Sequence, residues 1–280
     1  MTITIGVHVS NPSLYHLARL PFTASIGEEV RFHHFKDGTT TAGLLADGTI
    51  DISGTGSTPP LSGQAAGHDI VYAAVSAPRP DHGALLVAAD SPIRSVADLR
   101  GRTVRLAIGS WHTHLVAKAL HQAGLSYADI TAVREGEADA WVAQEAGLAA
   151  ALRRGGVRKL IETGDVITDR SVFFARRDFA ENRPEALAAV VGALQQADTW
   201  VAGHLDEAAK HAAAELGGEE QDWRTALAGL PWKLQPVTDE VIAEQQEAAD
   251  ILAAGGFLAR PITVADAYLP ALAATVAKAL

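Results

Sequence analysis

Short apolar runs alternate with helical patterns along the first half of the chain, and this alternation limits the folds that the sequence can adopt. The runs at residues 3–9, 50–54 and 70–76 have the length and composition of buried strands. Each is followed by a turn rich in Gly, Ser, Thr or Pro and then by a segment with helical spacing of apolar residues. The alternation predicts an α/β fold built on a mainly parallel, doubly wound sheet.

One strand-to-helix junction, residues 103–115, has features that a plain turn does not need. An apolar run ends at Gly109-Ser110, and a helical pattern follows that begins with Trp111 and His112. The first N–H groups of such a helix lack backbone acceptors, and the positive end of the helix dipole favours an anion there. The junction therefore predicts an anion-binding cradle, although a simple helix cap at Ser110 is the alternative.

Composition limits the classes of partner. With 280 residues the chain is long enough for two lobes of ordinary size. The formal charge of −10 argues against nucleic acid and anionic membranes as partners. Cysteine is absent, which excludes disulfides, a thiolate nucleophile and thiolate metal ligands. No cofactor or metal is predicted.

The beginning of the sequence enters a strand-like pattern at once, without the features of a signal peptide. As written, the chain is therefore expected in the cytoplasm, and in the periplasm or outside the cell if a signal peptide has been removed. Insertion into a membrane is not expected, because no apolar run reaches the roughly 18–20 residues of a membrane span.

Two predicted strands, residues 84–88 and 172–175, are placed where the chain crosses between lobes. We expect a discontinuous first lobe of residues 1–85 and 178–280 and a second lobe of residues 86–177. An Ala-rich helix is predicted over 138–154, and residues after 184 are predicted to be helical. Because ligands bind outside the carboxyl ends of strands in such sheets, the polar turns are expected to face one cleft.

Five segments carry a resemblance to a known family. They are residues 48–60 (GTIDISGTGSTPP), 89–104 (ADSPIRSVADLRGRTV), Gly109-Ser110, 236–246 (PVTDEVIAEQQ) and 261–267 (PITVADA). With these segments the chain resembles the substrate-binding proteins of ABC importers for alkanesulfonates, taurine and nitrate, the SsuA/THI5-like family. The resemblance implies the α/β type II periplasmic-binding-protein fold, with two lobes joined by two crossover strands.

The resemblance also implies a function and a set of binding residues. A solute-binding protein of this kind closes its lobes on a small anionic organic ligand, usually a sulfonate, and an ABC permease is its further partner. Matched position by position, the implied ligand-binding residues are Ser10, Asn11, Gly38, Thr39, Thr55, Gly56, Ser57, Thr58, Ser110, Trp111, His112, Asp169, Arg170 and Ser171.

One segment departs from the family pattern. Family members usually have a further helix after the strand that corresponds to residues 130–133. Here the segment 135–141, which ends in Trp141, follows immediately, as if about ten residues were missing. The second lobe is therefore expected to be compact, and it is open whether Trp141 and Gln144 reach the cleft.

The histidines leave a second class of function open. His82, His112 and His114 are placed near the predicted cleft, where imidazole could act as acid or base. The alternative function is a cytoplasmic lyase or hydrolase that acts on a small organic acid without a Cys nucleophile. Ligand binding and helix capping explain the same histidines without catalysis, and His112 and His114 diverge by about 200° on a helix, unlike a metal-binding pair.

Three side chains in the predicted site have alternatives of their own. Trp111 could stack on a flat or aromatic ligand or pack under the interlobe hinge. Asp169 and Arg170 could clamp an anion, or Arg170 could be an ordinary loop residue.

Overall fold

The computed structural model describes residues 2–280, which form strands and α-helices in alternation through the first half and mostly helices thereafter. The strands are β1 Thr2–His8, β2 Glu29–Phe35, β3 Ile52–Thr55, β4 Ile70–Ser76, β5 Gly83–Ala88, β6 Thr103–Arg105, β7 Thr131–Val133, β8 Ala140–Gln144, β9 Val157–Glu162, β10 Val172–Arg176 and β11 Leu234–Gln235. The helices are α1 Pro12–Leu17, α2 Thr41–Ala46, α3 Thr58–Ala65, α4 Trp111–Gln122, α5 Glu145–Arg154, α6 Arg177–Asn182, α7 Pro184–Gly203, α8 Leu205–Leu216, α9 Glu220–Ala228, α10 Asp239–Ala254 and α11 Pro270–Ala279.

The chain divides into two compact units. Unit 1 contains the residues up to Ala77 together with Arg170–Gly203 and Trp232–Leu280. Unit 2 contains Pro78–Asp169 and His204–Pro231. None of the helices within residues 2–280 combines the length and the apolar character that a membrane span requires.

Unit 1 is built around a six-stranded sheet with the order β11-β4-β10-β3-β1-β2. β1 pairs in parallel with β2 and β3, whereas β10 runs antiparallel to both β3 and β4. The first four strands therefore point the same way, and their carboxyl ends lie at one edge with the amino end of β10. A fully buried core lies between this sheet and its helices and includes Ile3, Ile5, Phe173 and Val190. Because this core is closely packed, it holds the strand ends at the edge in place.

Unit 2 is built around a five-stranded sheet with the order β7-β6-β8-β5-β9. β6 is parallel to β7 and β8, while β5 runs antiparallel to β8 and β9. Its core contains Leu85, Val104, Leu115 and the indole of Trp111. The apolar face of α4 is thereby packed inside the unit, which holds the amino end of this helix in place.

The observed units differ from the lobes expected from the sequence, whose boundaries were residues 85/86 and 177/178. β5 does not cross between units, because it pairs with β8 and β9 inside unit 2, so residues 78–85 belong there. β10 pairs with β3 and β4 inside unit 1, which brings residues 170–177 into that unit. The segment 204–231 belongs to unit 2, where the Arg153 guanidinium of α5 donates to both carboxylate oxygens of Asp222 on α9, at 2.7 and 2.8 Å.

The Ala-rich helix predicted over 138–154 is wrong in its first half. Residues 140–144 form β8, because they pair with β5 on one side and with β6 on the other. Alanine has a high helix propensity, but sheet pairing overrides propensity where a strand fills a gap between two others. The helix α5 begins at Glu145. The strand β9 was not predicted.

The short connection after β7 has no helix, as the sequence comparison with the family suggested. Only residues 134–139 separate β7 from β8, although the two strands lie on opposite sides of β6. Asp139 fastens this connection to the sheet, because its carboxylate accepts the Thr103 N–H at 2.9 Å. Trp141 is half-buried and lies 5.9 Å from the guanidinium of Arg105.

Candidate functional site

Asn11 is a buried polar residue at the strand-end edge of unit 1. It is 2% exposed, and its Oδ1 accepts the Leu14 N–H at 3.1 Å, which caps α1. Its amide nitrogen lies 3.5 Å from the hydroxyl of Ser171, just before β10. A Cβ at Gly54 would lie 3.0 Å from this nitrogen and 2.6 Å from the Phe173 ring, so glycine is required there. The structure therefore brings the predicted residues Asn11 and Ser171 together.

The predicted segment Thr55, Gly56, Ser57 and Thr58 joins β3 to α3 at the same edge. The Thr55 hydroxyl donates to the Gly56 carbonyl at 3.0 Å, and the Ser57 carbonyl accepts from Gln245 at 3.3 Å. Thr58 is 1% exposed, and its hydroxyl makes no hydrogen bond within residues 2–280. A buried hydroxyl in this condition is suited to bind a ligand atom.

The remaining predicted residues of this edge follow β1 and β2. Ser10 is exposed in the turn after β1. A Cβ at Gly38 would lie 3.0 Å from the His8 ring, so glycine lets this ring approach the backbone. The N–H and the hydroxyl of Thr39 both donate to Asp37 Oδ1, at 3.0 and 2.7 Å, and Thr39 is therefore held in a tight turn.

Arg170 does not form an anion clamp with Asp169. Its Nε and Nη2 donate to the two carboxylate oxygens of Glu244, at 2.9 and 3.3 Å. Its Nη1 donates to the Ser76 carbonyl and to Gln235 Oε1, at 2.9 and 2.8 Å. With four hydrogen bonds inside unit 1, this guanidinium joins β4, β11 and α10. The predicted clamp is corrected to a structural role for Arg170.

In unit 2, Ser110 caps α4 as its sequence position suggested. Its Oγ accepts the His112 N–H at 3.1 Å and donates to the Ala107 carbonyl at 2.7 Å. Gly109 has φ +92°, a left-handed conformation that glycine adopts without strain, and its N–H donates to Thr113 Oγ1 at 2.8 Å. The turn thus fixes the amino end of a twelve-residue helix, where the positive end of the dipole lies.

Trp111, His112 and Gln144 form a hydrogen-bonded group beside this helix end. The indole N–H of Trp111 donates to Gln144 Oε1 at 3.1 Å, and His112 Nε2 lies 2.8 Å from the same oxygen. Trp111 is 4% exposed and packs against Gly83, where a Cβ would lie 2.4 Å from the ring. The indole thus packs inside the core of unit 2. Gln144 does reach this part of the site.

A buried group of charged and titratable side chains lies beside the Trp111 ring. The His82 ring centroid is 5.0 Å from that of Trp111, and its Nδ1 lies 2.9 Å from Asp169 Oδ2. Arg79 Nη2 contacts the same oxygen at 2.8 Å. Burial would raise the pKa of Asp169, but Arg79 and His82 outweigh it and hold the pKa below its usual range. His82 Nε2 is 3.9 Å from a carboxylate oxygen of Glu145. The two acidic residues beside His82, Asp169 and Glu145, both belong to unit 2.

The electrostatics of His112 suit a binding role better than acid–base chemistry. Burial lowers the pKa of His112 to about 4, and the Gln144 hydrogen bond offsets only part of this effect. The ring is therefore neutral at pH 7, too weak a base for general-base catalysis near that pH. His114 is also buried, two residues further along α4. No three His, Asp or Glu side chains converge as a metal site anywhere in residues 2–280.

Sequence reasoning missed Arg79 and Glu145, and it left Gln144 undecided. Arg79 stands between two prolines, where nothing in the local pattern points to a buried ion pair. Glu145 has φ 52°, a rare conformation for a residue other than glycine, and it directly follows β8. Only the correct strand assignment for residues 140–144 would have placed Gln144 and Glu145 at a strand end.

The fold and these sites define a class of protein. Two α/β units with mixed sheets, linked by a chain that leaves unit 1 and returns to it twice, make up the type II periplasmic-binding-protein fold. The crystal structure of the periplasmic aliphatic sulphonate binding protein SsuA from Escherichia coli matches with a TM-score of 0.86 and 29% identity, over 95% of this chain and 91% of that one. The alkanesulfonate-binding protein SsuA from Xanthomonas axonopodis pv. citri, bound to MOPS, matches with a TM-score of 0.85 and 27% identity, over 96% and 98%.

Sequence comparison gives the family. The NMT1/THI5-like family matches residues 24–208. An aliphatic sulfonates-binding protein of Escherichia coli (strain K12) is 33% identical over 235 residues, which cover 80% of this chain and 74% of that protein. The chain belongs to the NMT1/THI5-like family. The resemblance and the fold class expected from the sequence are confirmed, and the enzyme alternative finds no support among these relatives.

Proposed function

We propose that this protein is the substrate-binding component of an ABC importer and that its ligand is a small organic sulfonate. The observation that carries the proposal is the 33% identity to an aliphatic sulfonates-binding protein over 80% of the chain. The Xanthomonas relative that shares this fold is bound to MOPS, which bears a sulfonate group. The ligand class of the relatives is thus the one that the sequence resemblance implied.

The ligand contacts that we assign are uncharged donors in each unit. In unit 2 they are the backbone N–H of Trp111, at the amino end of α4 that Ser110 caps, and the amide nitrogen of Gln144. In unit 1 they are Asn11, Thr58 and Ser171. A sulfonate remains ionised throughout the physiological pH range, so it needs hydrogen-bond donors but no proton transfer. Hydroxyl, amide and backbone N–H groups supply these donors without a buried opposite charge whose desolvation would oppose binding.

Growth on a sulfonate tests this function in the cell. A strain that lacks the gene should fail to grow with butanesulfonate as its only sulfur source and should still grow on sulfate. The wild-type gene should restore growth, and so should a gene with the neutral cap Ser110→Asn. The charged cap Ser110→Asp should not, because Asp caps helices as well as Asn but repels an anion from the helix end.

Comparison of Ser110→Asn with Ser110→Asp distinguishes an effect on folding from an effect on ligand binding. Both variants should accumulate to wild-type levels and melt within about 4 °C of the wild type, since the cap is retained. Growth with Ser110→Asp equal to the wild type would contradict the assigned site. Undiminished growth of the deletion strain on butanesulfonate would contradict the function.

Handing a ligand to a permease requires that the protein work outside the cytoplasmic membrane, and we include this location in the proposal. It is supported by the periplasmic description of the Escherichia coli relative. Fractionation of cells that express the gene from its own locus tests it. Recovery with the periplasmic or released proteins agrees with the proposal, and recovery only with the cytoplasmic proteins contradicts it.

A further inference from the structure

The amide of Gln144 has a defined orientation because of the two donors that contact it. The indole N–H of Trp111 can only donate, and it lies 3.1 Å from Gln144 Oε1. His112 Nε2 lies 2.8 Å from the same atom. The atom between these two rings must therefore be the amide oxygen, since an NH₂ group could not accept from the indole.

The backbone fixes the tautomer of His112. The Ala107 N–H points at His112 Nδ1 at 3.1 Å. A backbone N–H can only donate, so Nδ1 must be the unprotonated nitrogen of the ring. The proton of the neutral imidazole is then on Nε2, directed at Gln144 Oε1. The three contacts agree with one another without any change of ring or amide orientation.

This arrangement leaves one kind of interaction available to Gln144. Its oxygen already accepts two hydrogen bonds, one from each ring, and its amide nitrogen has no protein acceptor within residues 2–280. Gln144 is half-buried at the end of β8, beside the first turn of α4 that supplies both rings. Its NH₂ group is therefore offered as a donor next to the positive end of the helix.

We propose that His112 is a positioning residue: through its Nε2 proton, and together with Trp111, it holds the Gln144 side chain as a fixed NH₂ donor to an acceptor-only ligand. The inference rests on the proposed function for the identity of the ligand, but not for the orientation of the amide. The fixed amide also selects among ligands: its NH₂ group suits a sulfonate, which has only acceptor oxygens. A protonated acid or an alcohol that must donate to Gln144 Oε1 finds that oxygen occupied.

The environment of His112 keeps this arrangement unchanged around neutral pH. The titratable groups near the ring are His82, Asp169 and Glu145. His82 lowers the pKa of His112, whereas the two carboxylates raise it. Burial outweighs these effects and keeps the ring neutral, so Nε2 remains the only protonated nitrogen.

A double-mutant cycle tests whether His112 acts through Gln144. With butanesulfonate as the probe in calorimetry, His112→Phe and Gln144→Leu should each weaken binding at least tenfold. In the Gln144→Leu background, His112→Phe should change affinity less than twofold, because no amide remains to be positioned. His121→Phe, a histidine replacement at the exposed end of the same helix, is the control and should leave affinity unchanged.

Two further measurements distinguish a loss of amide positioning from a folding defect. Gln144→Glu keeps an oxygen for both rings but lacks the NH₂ group, so it should retain the wild-type melting temperature and lose at least tenfold in affinity. Nitrogen-15 NMR of the wild-type protein without ligand should show the Nε2–H tautomer of His112 at pH 7. This measurement reports directly which nitrogen of His112 carries the proton, and it does not depend on the stability or the affinity of any variant.

The outcomes are distinguishable. An equal loss from His112→Phe in both backgrounds, wild-type affinity in His112→Phe, or an Nδ1–H tautomer would each overturn the inference. Failure of the wild-type protein to bind any sulfonate would contradict the proposed function instead. In that case the tautomer measurement, which needs no ligand, would still support or overturn the positioning of the amide.

Discussion

Asp198 is a buried carboxyl group on α7 that the proposed function does not use. It is 1% exposed, and its Oδ2 accepts a hydrogen bond from the Ser13 hydroxyl at 3.1 Å. Burial raises the pKa of Asp198 from 3.8 to about 7, against a smaller lowering effect of the Ser13 hydrogen bond. Above about pH 4 the unfolded chain therefore releases a proton that the folded protein still holds, and stability falls as the pH rises towards 7.

Asp198→Asn should remove this pH dependence while keeping an acceptor for Ser13. We expect the variant to gain stability relative to the wild type, and the gain to be about 2–3 kcal/mol larger at pH 8 than at pH 5. Urea unfolding of both proteins at the two pH values measures the difference. A gain that is the same at pH 5 and pH 8 would mean that Asp198 ionises normally in the folded protein.

At the residue scale, the sequence located caps and turns better than it located partners. A cap at Ser110 was the alternative to the predicted anion cradle, because Ser before an apolar helix has a local physical reason, and the structure shows that Ser110 does cap α4. The role of Arg170 depends on Glu244, which is 74 residues away, and no local pattern shows such a pairing. Gln144 became interpretable only when its contacts with Trp111 and His112 were known.

At the element scale, the contact between β5 and α4 controls the geometry of the binding group. Gly83 begins β5, and a Cβ there would lie 2.4 Å from the Trp111 ring and 2.9 Å from the Ala143 carbonyl oxygen. Gly83→Ala should therefore move the ring or the strand, with a loss of about 1–3 kcal/mol in stability. Because Trp111 donates to Gln144, weaker sulfonate binding should accompany the loss.

Gly147→Ala is the matched control for this prediction. Gly147 lies inside α5, and an added Cβ there would have no atom within 4 Å. Alanine should stabilise this helix by about 0.5–1 kcal/mol and leave binding unchanged. Thermal unfolding and calorimetry of the two variants check both effects. Equal behaviour of the two variants would show that the Trp111 ring does not depend on Gly83.

The strands and helices themselves were largely predictable in unit 1. β1, β2 and β4 have period-two or continuous apolar patterns bounded by turn residues, and the structure confirms them. β8 and β9 were not. β8 lies in an Ala-rich stretch of helical composition, and β9 is a short segment with two basic residues among its apolar ones; both are strands through pairing with β5. Local sequence does not contain that long-range information.

At the scale of the whole molecule, the α/β class followed from the alternation of elements, but the mainly parallel sheet that it predicted is in fact two mixed sheets, and the division into units was not predicted. The segment 204–231 has an ordinary helical pattern, and nothing in it specifies that it joins unit 2. Its place is set by contacts such as the Arg153–Asp222 ion pair, in which Asp222 is almost fully buried. Fold class is encoded in repeated local patterns, but unit membership depends on single distant contacts.

The most direct test of the account is calorimetric titration of the purified protein with butanesulfonate, with pentanoate as the carboxylate of matched chain length. We expect one ligand bound per chain, much tighter binding of the sulfonate, and butanesulfonate recovered unchanged by mass spectrometry after prolonged incubation. At a hundredfold excess over Kd the ligand should also stabilise the fold by about 2.7 kcal/mol. No binding of any sulfonate, or recovery of a chemically altered ligand, would contradict a sulfonate-binding protein.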